Sequence, residues 1–129
     1  MNVVADTNIF LAIALNEPPK EQIVEVTSGA VLSAPEILPY EIGNALSAMT
    51  KRGRISRAEA LAAEKAANLI PVRLVNIDIQ KALELAIEHN IYAYDAYFLL
   101  CAKSLAQFLM SLDGRMKQVA RDLGINVLE

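Results

Sequence analysis

The chain has 129 residues, of which 54% are hydrophobic and 21% are charged, and its formal net charge is −3. This length suits one compact domain spanning residues 1–129, and the apolar content excludes an intrinsically disordered chain. The single Cys and single His exclude an internal disulfide and the usual zinc sites, so a metal bound by this chain alone needs oxygen ligands.

Short apolar segments alternate with helical patterns along the whole chain. Apolar spacing, caps and breakers predict, in order, a strand at 2–5, a helix from 7 to about 15, a helix at about 20–26, a strand at 30–33, a helix at about 36–51, a helix from 56 to about 70, a strand at 72–75, a helix from 78 to about 88, a helix from 94 to about 105, a strand at 108–111, a helix at 114–123 and a strand at 125–128. Ser56 and Glu59 have the spacing of a capping box, and Asn90 and Gly124 suit helix ends. This alternation indicates an α/β domain with a mostly parallel central sheet of about four or five short strands flanked by helices.

Two acidic residues directly follow predicted strands. Asp6 comes after the first strand, and Asp113 lies just past the strand at 108–111. Both are therefore expected at the carboxyl edge of the sheet, where ligands of parallel sheets bind. Asp is also a common helix N-cap, and Asp113-Gly114 is an ordinary turn pair, so a structural role stays equally open for each residue taken alone.

Two further acids lie on apolar helix faces. Glu41 shares the apolar stripe of the helix at 36–51, and Asp95 lies in the apolar stretch 91–102. A buried carboxylate is costly unless it is paired, yet no Lys or Arg occurs between residues 20 and 51 or between residues 81 and 103. The partner is either a cation distant in sequence, forming a buried ion pair, or a divalent metal ion. Oxygen-only ligation favours Mg²⁺ or Mn²⁺.

Basic residues are concentrated near the middle of the chain. Within seven positions the sequence has Lys51, Arg52, Arg54 and Arg57. An acidic metal pocket with a basic rim suits a phosphate-backbone substrate such as RNA. The equally weighted alternative is the solvated tip of a helical hairpin, because charged loop tips are ordinary.

Four stretches of the sequence resemble the PIN-domain ribonucleases, and among them the toxin of the VapBC toxin–antitoxin systems. In chain order they are Val4-Ala5-Asp6-Thr7-Asn8, Pro39-Tyr40-Glu41-Ile42-Gly43-Asn44-Ala45-Leu46, Tyr94-Asp95-Ala96-Tyr97 and Leu109-Met110-Ser111-Leu112-Asp113. The resemblance implies that Asp6, Glu41, Asp95 and Asp113 form a Mg²⁺ or Mn²⁺ site for RNA cleavage. One departure is Ser111, where the family usually has Thr and where the hydroxyl is kept.

Several supporting roles and partners are expected beside this site. Thr7, Asn8 and Ser111 are expected to orient the acids or contact substrate, with helix capping as the alternative for Thr7 and Asn8. Tyr94 and Tyr97 either stack on a base or simply pack. The high apolar content and an Ala-rich helical hairpin predict a homodimer, and a groove near residues 37–46 for a small VapB-like antitoxin. No signal peptide or bilayer-spanning segment is evident, so we expect a soluble, cytoplasmic protein without a membrane partner.

Three other functions fit parts of the sequence. One is a PIN-type RNA-processing nuclease that has no antitoxin. Another is a receiver-type signalling domain with an acidic Mg²⁺ pocket. Such a domain needs an Asp at the end of a central strand and a Lys after a late strand. Here Asn76 follows the strand at 72–75, and no Lys follows Ser111 before Lys117. The third is a catalytically silent binding module, against which the intact set of acids speaks. The leading hypothesis is a metal-dependent endoribonuclease acting as a toxin.

Overall fold

The computed structural model describes all residues, 1–129. The elements are, in chain order, β1 (Asn2–Ala5), α1 (Thr7–Ala14), α2 (Lys20–Thr27), β2 (Val31–Pro35), α3 (Leu38–Lys51), α4 (Arg57–Asn68), β3 (Arg73–Val75), α5 (Ile79–His89), α6 (Ala93–Leu105), β4 (Phe108–Met110) and α7 (Gly114–Asp122). The predicted α/β alternation is therefore confirmed, with most boundaries within two residues of their predicted positions.

The four strands form one sheet in the order β3-β2-β1-β4, and every neighbouring pair is parallel. β1 lies inside the sheet, and its Val3, Val4 and Ala5 are completely buried, as expected for a parallel strand covered on both faces. Because all strands run the same way, the residues that follow them meet at one edge. The backbone N–H of Asp6, just after β1, donates to the carbonyl of Met110 at the end of β4 (2.9 Å).

Two predicted strands differ from the structure. The second strand is Val31–Pro35 rather than 30–33, so it begins one residue later and ends two residues later than predicted. The segment 125–128 is not a strand, because it makes a single parallel bridge between Val127 and Leu109. Successive strand residues point their N–H and C=O groups to opposite neighbours, so the three-residue β4 offers only Leu109 to its outer side.

Local capping signals in the sequence are confirmed. At the start of α4, the backbone N–H of Glu59 donates to Ser56 Oγ (3.1 Å), and the N–H of Ser56 donates to Glu59 Oε1 (3.0 Å). Asn90 ends α5 in the left-handed conformation with φ 52°, and Gly124 follows α7 with φ 75°. These turns need no long-range contact, which is why sequence alone locates them.

Replacing Ser56 by Ala is expected to lower the free energy of unfolding by about 1 kcal/mol, because α4 loses its N-cap acceptor. Urea unfolding would measure this difference. Ser104→Ala is the matched control, since Ser104 is exposed on α6 and forms no side-chain hydrogen bond. An equal loss in both variants would show that the capping box contributes nothing.

The core is built mainly from small and branched aliphatic side chains. It contains 28 buried hydrophobic residues, with Phe10 and Phe98 as its largest members. Cys101 belongs to this core, and burial raises the pKa of its thiol to about 11, so it acts as a small hydrophobic residue. None of the helices is both long and apolar enough to cross a membrane.

Candidate active site

The four predicted acids all lie at the N-terminal ends of helices. Asp6 is the N-cap of α1 and Asp113 is the N-cap of α7, while Glu41 and Asp95 lie in the first turns of α3 and α6. Helix N-termini carry partial positive charge and favour carboxylates. The fold thus directs four helix ends towards the edge of the sheet where the acids meet.

Asp6 is the most deeply buried of the acids, with 7% of its surface exposed. Its carboxylate accepts hydrogen bonds from the Thr7 backbone N–H (2.8 Å) and Ser111 Oγ (2.8 Å), and a longer one from Asn8 Nδ2 (3.2 Å). Burial nevertheless raises the pKa of Asp6 from 3.8 to about 6, and the negative charges of Asp95 and Glu41 act in the same direction. The hydrogen bonds from the protein therefore do not fully compensate for the burial of the charged Asp6 carboxylate.

Asn8 and Ser111 connect the start of α1 with the loop that follows β4. Asn8 Oδ1 accepts from the backbone N–H of Leu112 (3.1 Å), and Ser111 Oγ accepts from the N–H of Asp113 (3.0 Å). Asp113 Oδ1 in turn accepts from two backbone N–H groups at the start of α7 (2.9 and 3.2 Å). The structure thus shows Asp113 as an exposed helix cap, with its second carboxylate oxygen free.

Glu41 has one satisfied and one unsatisfied oxygen. Thr7 Oγ1 donates to Glu41 Oε2 at 2.6 Å, whereas Glu41 Oε1 is buried and has no hydrogen-bond partner. Burial raises the pKa of Glu41, and the nearby charge of Asp95 adds to the shift. An orphaned buried carboxylate oxygen is costly unless a ligand completes it.

Asp95 is half-buried and accepts no hydrogen bond from the protein. Burial raises its pKa, and the negative charge of Asp113 raises it further. Through these mutual effects Asp6, Glu41 and Asp95 form one electrostatic group, and Asp113 is linked to it through Asp95. The sheet edge therefore brings all four predicted acids into one neighbourhood.

A crevice of about 450 Å³ opens beside this group. Its lining consists of Thr7, Ile37, Tyr40, Glu41, Asn44, Ala45, Tyr92, Tyr94 and Asp95. Glu41 and Asp95 face the crevice, whereas Asp6 is not part of its lining. No Lys or Arg lines it, although it contains two carboxylates.

No cation within the protein compensates these charges. The one ion pair in the structure joins Arg121 to Glu129, both exposed and outside the crevice lining. The alternative of a buried ion pair for Glu41 and Asp95 is therefore wrong. Both carboxylates are left for a ligand from solution.

The donor set fits a hard divalent cation. No group of three or more Asp, Glu, His or Cys side chains is arranged closely enough to hold a metal ion as it stands. Mg²⁺ does not require such a cage, because it keeps several waters and binds through one or two carboxylates together with substrate phosphates. Glu41, with its unpartnered oxygen, and the hydrogen-bond-free Asp95 meet that requirement, with Asp6 and Asp113 adjacent.

The basic residues lie away from the crevice. All four, Lys51, Arg52, Arg54 and Arg57, are exposed around the turn between α3 and α4. Lys51 is ten residues after Glu41 on α3, which corresponds to about 15 Å along the helix. They therefore do not line the acidic crevice.

Two aromatic residues at the crevice, Tyr40 and Tyr92, were not predicted from the sequence. Tyr40 is 75% exposed and Tyr92 is 81% exposed, so neither serves the core. Tyr94, for which the sequence allows either stacking or packing, is 56% exposed, and its ring meets Tyr97 edge to face at 6.0 Å. For Tyr40 a signal was present in the sequence, because it directly precedes Glu41.

Comparison with known proteins identifies relatives of this fold. The family model of the PIN domain matches residues 3–122. The crystal structure of PAE2754 from Pyrobaculum aerophilum is similar with a TM-score of 0.71 at 21% identity, covering 92% of this chain and 87% of that one. The crystal structure of VapBC2 from Rickettsia felis, bound to a DNA fragment from their promoter, has a TM-score of 0.68 at 15% identity, covering 100% of this chain and 98% of that one.

No curated protein gives a significant match. At these identities the two solved structures support the fold alone. The family model, by contrast, spans nearly the whole α/β domain, from β1 to the end of α7. The resemblance predicted from the four sequence motifs is therefore confirmed, and the chain belongs to the PIN domain family.

Proposed function

We propose that the protein is a Mg²⁺- or Mn²⁺-dependent endoribonuclease whose acidic site consists of Asp6, Glu41, Asp95 and Asp113. The observation that carries the proposal is the buried Glu41 Oε1, which lacks any hydrogen-bond partner, lies at a crevice with a second carboxylate and forms no ion pair with a cation of the chain. Membership in a family of nucleases supports the reaction class. The crevice lining contains no lysine, which argues against the receiver-type alternative.

Each residue of the site has a separate task in this proposal. Glu41 and Asp95 would hold the cation at the crevice, Asp6 would add negative charge beside Thr7, and Asp113 would complete the site through its free carboxylate oxygen. Thr7 positions Glu41 through its 2.6 Å hydrogen bond, and Ser111 positions Asp6. The chemistry supplied by a bound Mg²⁺ or Mn²⁺ is acidification of water and neutralisation of charge at the scissile phosphate. No histidine is required as a general base.

The direct test is an RNA cleavage assay with purified protein. Single-stranded RNA and DNA of the same sequence are incubated with Mg²⁺ or Mn²⁺, with and without EDTA. We expect internal cleavage of RNA that needs the cation. Cleavage that survives EDTA contradicts a metal mechanism, and absence of cleavage together with absence of metal binding supports a silent binding module.

Arg54→Ala and Arg57→Ala are expected to weaken RNA binding and to reduce its salt dependence, because each removes a positive charge that neutralises a phosphate. For single-stranded RNA the slope of log K against log salt should fall by roughly 0.7 for each phosphate that is no longer neutralised. Fluorescence anisotropy in EDTA measures binding without cleavage. Arg73→Ala is the control, since Arg73 is exposed on the edge strand β3. An unchanged slope would show that the basic residues around this turn do not contact the RNA phosphates.

We further propose that the protein is the toxin of a toxin–antitoxin pair and a homodimer. Similarity of fold to VapBC2 supports an antitoxin partner. A groove of about 350 Å³, lined mainly by apolar side chains of α3, α4 and the segment before β3, offers a place for an apolar segment. Exposed Leu83 and Ile87, one turn apart on α5, support an interface between copies.

Two measurements test this assignment. Light scattering at micromolar concentration is expected to give the mass of a dimer. Co-expression with the product of the adjacent gene is expected to yield a complex in which RNA cleavage is suppressed. A monomer that cleaves RNA and is harmless when expressed alone favours an RNA-processing nuclease without an antitoxin.

A further inference from the structure

All four tyrosines of the chain lie around the acidic crevice and the cavity next to it. Tyr40, Tyr92 and Tyr94 are 75%, 81% and 56% exposed, respectively. Large aromatic rings normally contribute through burial, so three exposed rings at one opening require another explanation. The half-buried Tyr97 contacts Tyr94 edge to face, with 6.0 Å between the ring centroids.

The cavity next to the crevice, here called the Tyr40 cavity, has a volume of about 270 Å³. It lies where β2 and β3 end, and its lining consists of Pro35, Glu36, Ile37, Tyr40, Asn76, Ile77, Ile79 and Tyr97. Ile37 and Tyr40 line both spaces, so the Tyr40 cavity and the acidic crevice are adjacent. Apolar walls with a few polar groups are typical of ligand sites.

We infer that the Tyr40 cavity binds one unpaired nucleobase of the RNA strand whose phosphate lies at the acidic crevice. The inference rests on the proposed nuclease function and extends it to substrate recognition. Unpaired bases are recognised by stacking on aromatic rings and by hydrogen bonds to their edges. Tyr40 provides the ring, and the side chains of Glu36 and Asn76 make no hydrogen bond within the protein, so both are free to contact a base edge.

The charge of the lining favours a base over other occupants. No Lys or Arg lines either space, and Glu36 adds negative charge to the Tyr40 cavity. A phosphate group or an acidic peptide is therefore disfavoured there, while an uncharged aromatic ring with amino groups is accepted. Tyr40 and Glu41 both line the acidic crevice, and Tyr40 also lines the Tyr40 cavity, so a base at the Tyr40 ring and its phosphate at the acids occupy neighbouring spaces.

Tyrosine fluorescence gives a direct readout, because the chain has no Trp and its four Tyr all surround the two spaces. A short single-stranded RNA is titrated both in EDTA and with Ca²⁺, a hard cation that carboxylates bind, beside the same strand with a single abasic position placed in turn along it. Stacking is expected to quench the emission. Tyr40→Ala should weaken binding of the intact strand about tenfold, because it removes the ring on which the base stacks.

The pattern across strands and variants distinguishes recognition from a structural effect. Tyr40→Phe should keep wild-type affinity, and Tyr40→Ala should have no effect on the strand whose abasic position falls in the cavity. Asn76→Ala should change the order of affinity for the four RNA homopolymers, because it removes a side chain that is free to contact a base edge. Leu61→Ala, an exposed change on α4, is the folding and binding control.

Three results would overturn the inference. The first is an equal affinity loss on intact and abasic strands, which marks a structural role. The second is unchanged binding and cleavage by Tyr40→Ala, which leaves the nuclease proposal intact. The third is absence of quenching by any strand, which points to a protein segment as the occupant. If wild-type protein binds with quenching yet cleaves no RNA, the base cavity stands and the nuclease proposal fails.

Discussion

Asp95→Asn is expected to abolish metal-dependent RNA cleavage while the metal-free protein stays as stable as the wild type or becomes more stable. The loss of activity should exceed the roughly 10–100-fold that loss of a metal's outer partner costs, because a direct ligand is removed. Stability should not fall, since Asp95 accepts no hydrogen bond and its charge is disfavoured by burial and by Asp113. Cleavage rates and urea unfolding in EDTA measure the two effects.

Asp78→Asn is the matched control for this change. Asp78 is exposed, caps α5 by accepting a 3.1 Å hydrogen bond from the Lys81 N–H, and lies outside the crevice lining. Asn is an equally good cap, so this variant should keep both activity and stability. If Asp95→Asn instead lost much stability in EDTA, the carboxylate would have a favourable partner in the free protein, contrary to the structure. Activity retained by Asp95→Asn would remove Asp95 from the metal site.

Without metal, the contribution of Asp6 to stability is expected to fall as pH rises from about 4 to about 6. The pKa of Asp6 is raised from 3.8 to about 6 in the folded protein. Between these values the folded state holds a proton that the unfolded chain has released, so rising pH favours unfolding. At about 1.4 kcal/mol per pKa unit, the effect above pH 6 is roughly 3 kcal/mol. Burial of Glu41 and Asp95 shifts their pKa values the same way.

Comparison with Asp6→Asn isolates this effect from other titrating groups. Urea unfolding in EDTA at pH 4.5, 5.5 and 7 should give a stability difference between variant and wild type that moves in favour of the variant as pH rises. The trend is the readout, because the substituted amide also offers one acceptor fewer to Ser111 and Asn8. Addition of Mg²⁺ at pH 7 should stabilise the wild type more than the variant. A difference independent of pH would contradict the raised pKa.

Local physics made much of the fold predictable from the sequence. Strand and helix periodicities, the Ser56 capping box and the ends at Asn90 and Gly124 depend on residues within one turn of each other. The last strand failed for a reason that is not local. Residues 125–128 have strand-like composition, but β4 presents only Leu109 for pairing on its free side.

The position of the acids was also predictable, because charged residues on apolar helix faces and at strand ends are visible in the sequence. Their lack of cationic partners was anticipated from the spacing of Lys and Arg, and the structure agrees. The sequence allowed Asp113 to cap α7, but it did not indicate that the charge of this capping residue also raises the pKa of Asp95. That double role depends on how α6 and α7 meet at the sheet edge.

The α/β class, the order of the elements and the candidate acids were predictable from the sequence, because they follow from local periodicity and residue chemistry. Which side chains meet depends instead on the folded chain. Thr7 reaches Glu41 across 34 residues, and Ser111 reaches Asp6 across 105. The unpartnered Glu41 Oε1 and the Tyr40 cavity arise in the same way, since the strand order β3-β2-β1-β4 brings together residues whose separation along the chain carries no information about their distance in space.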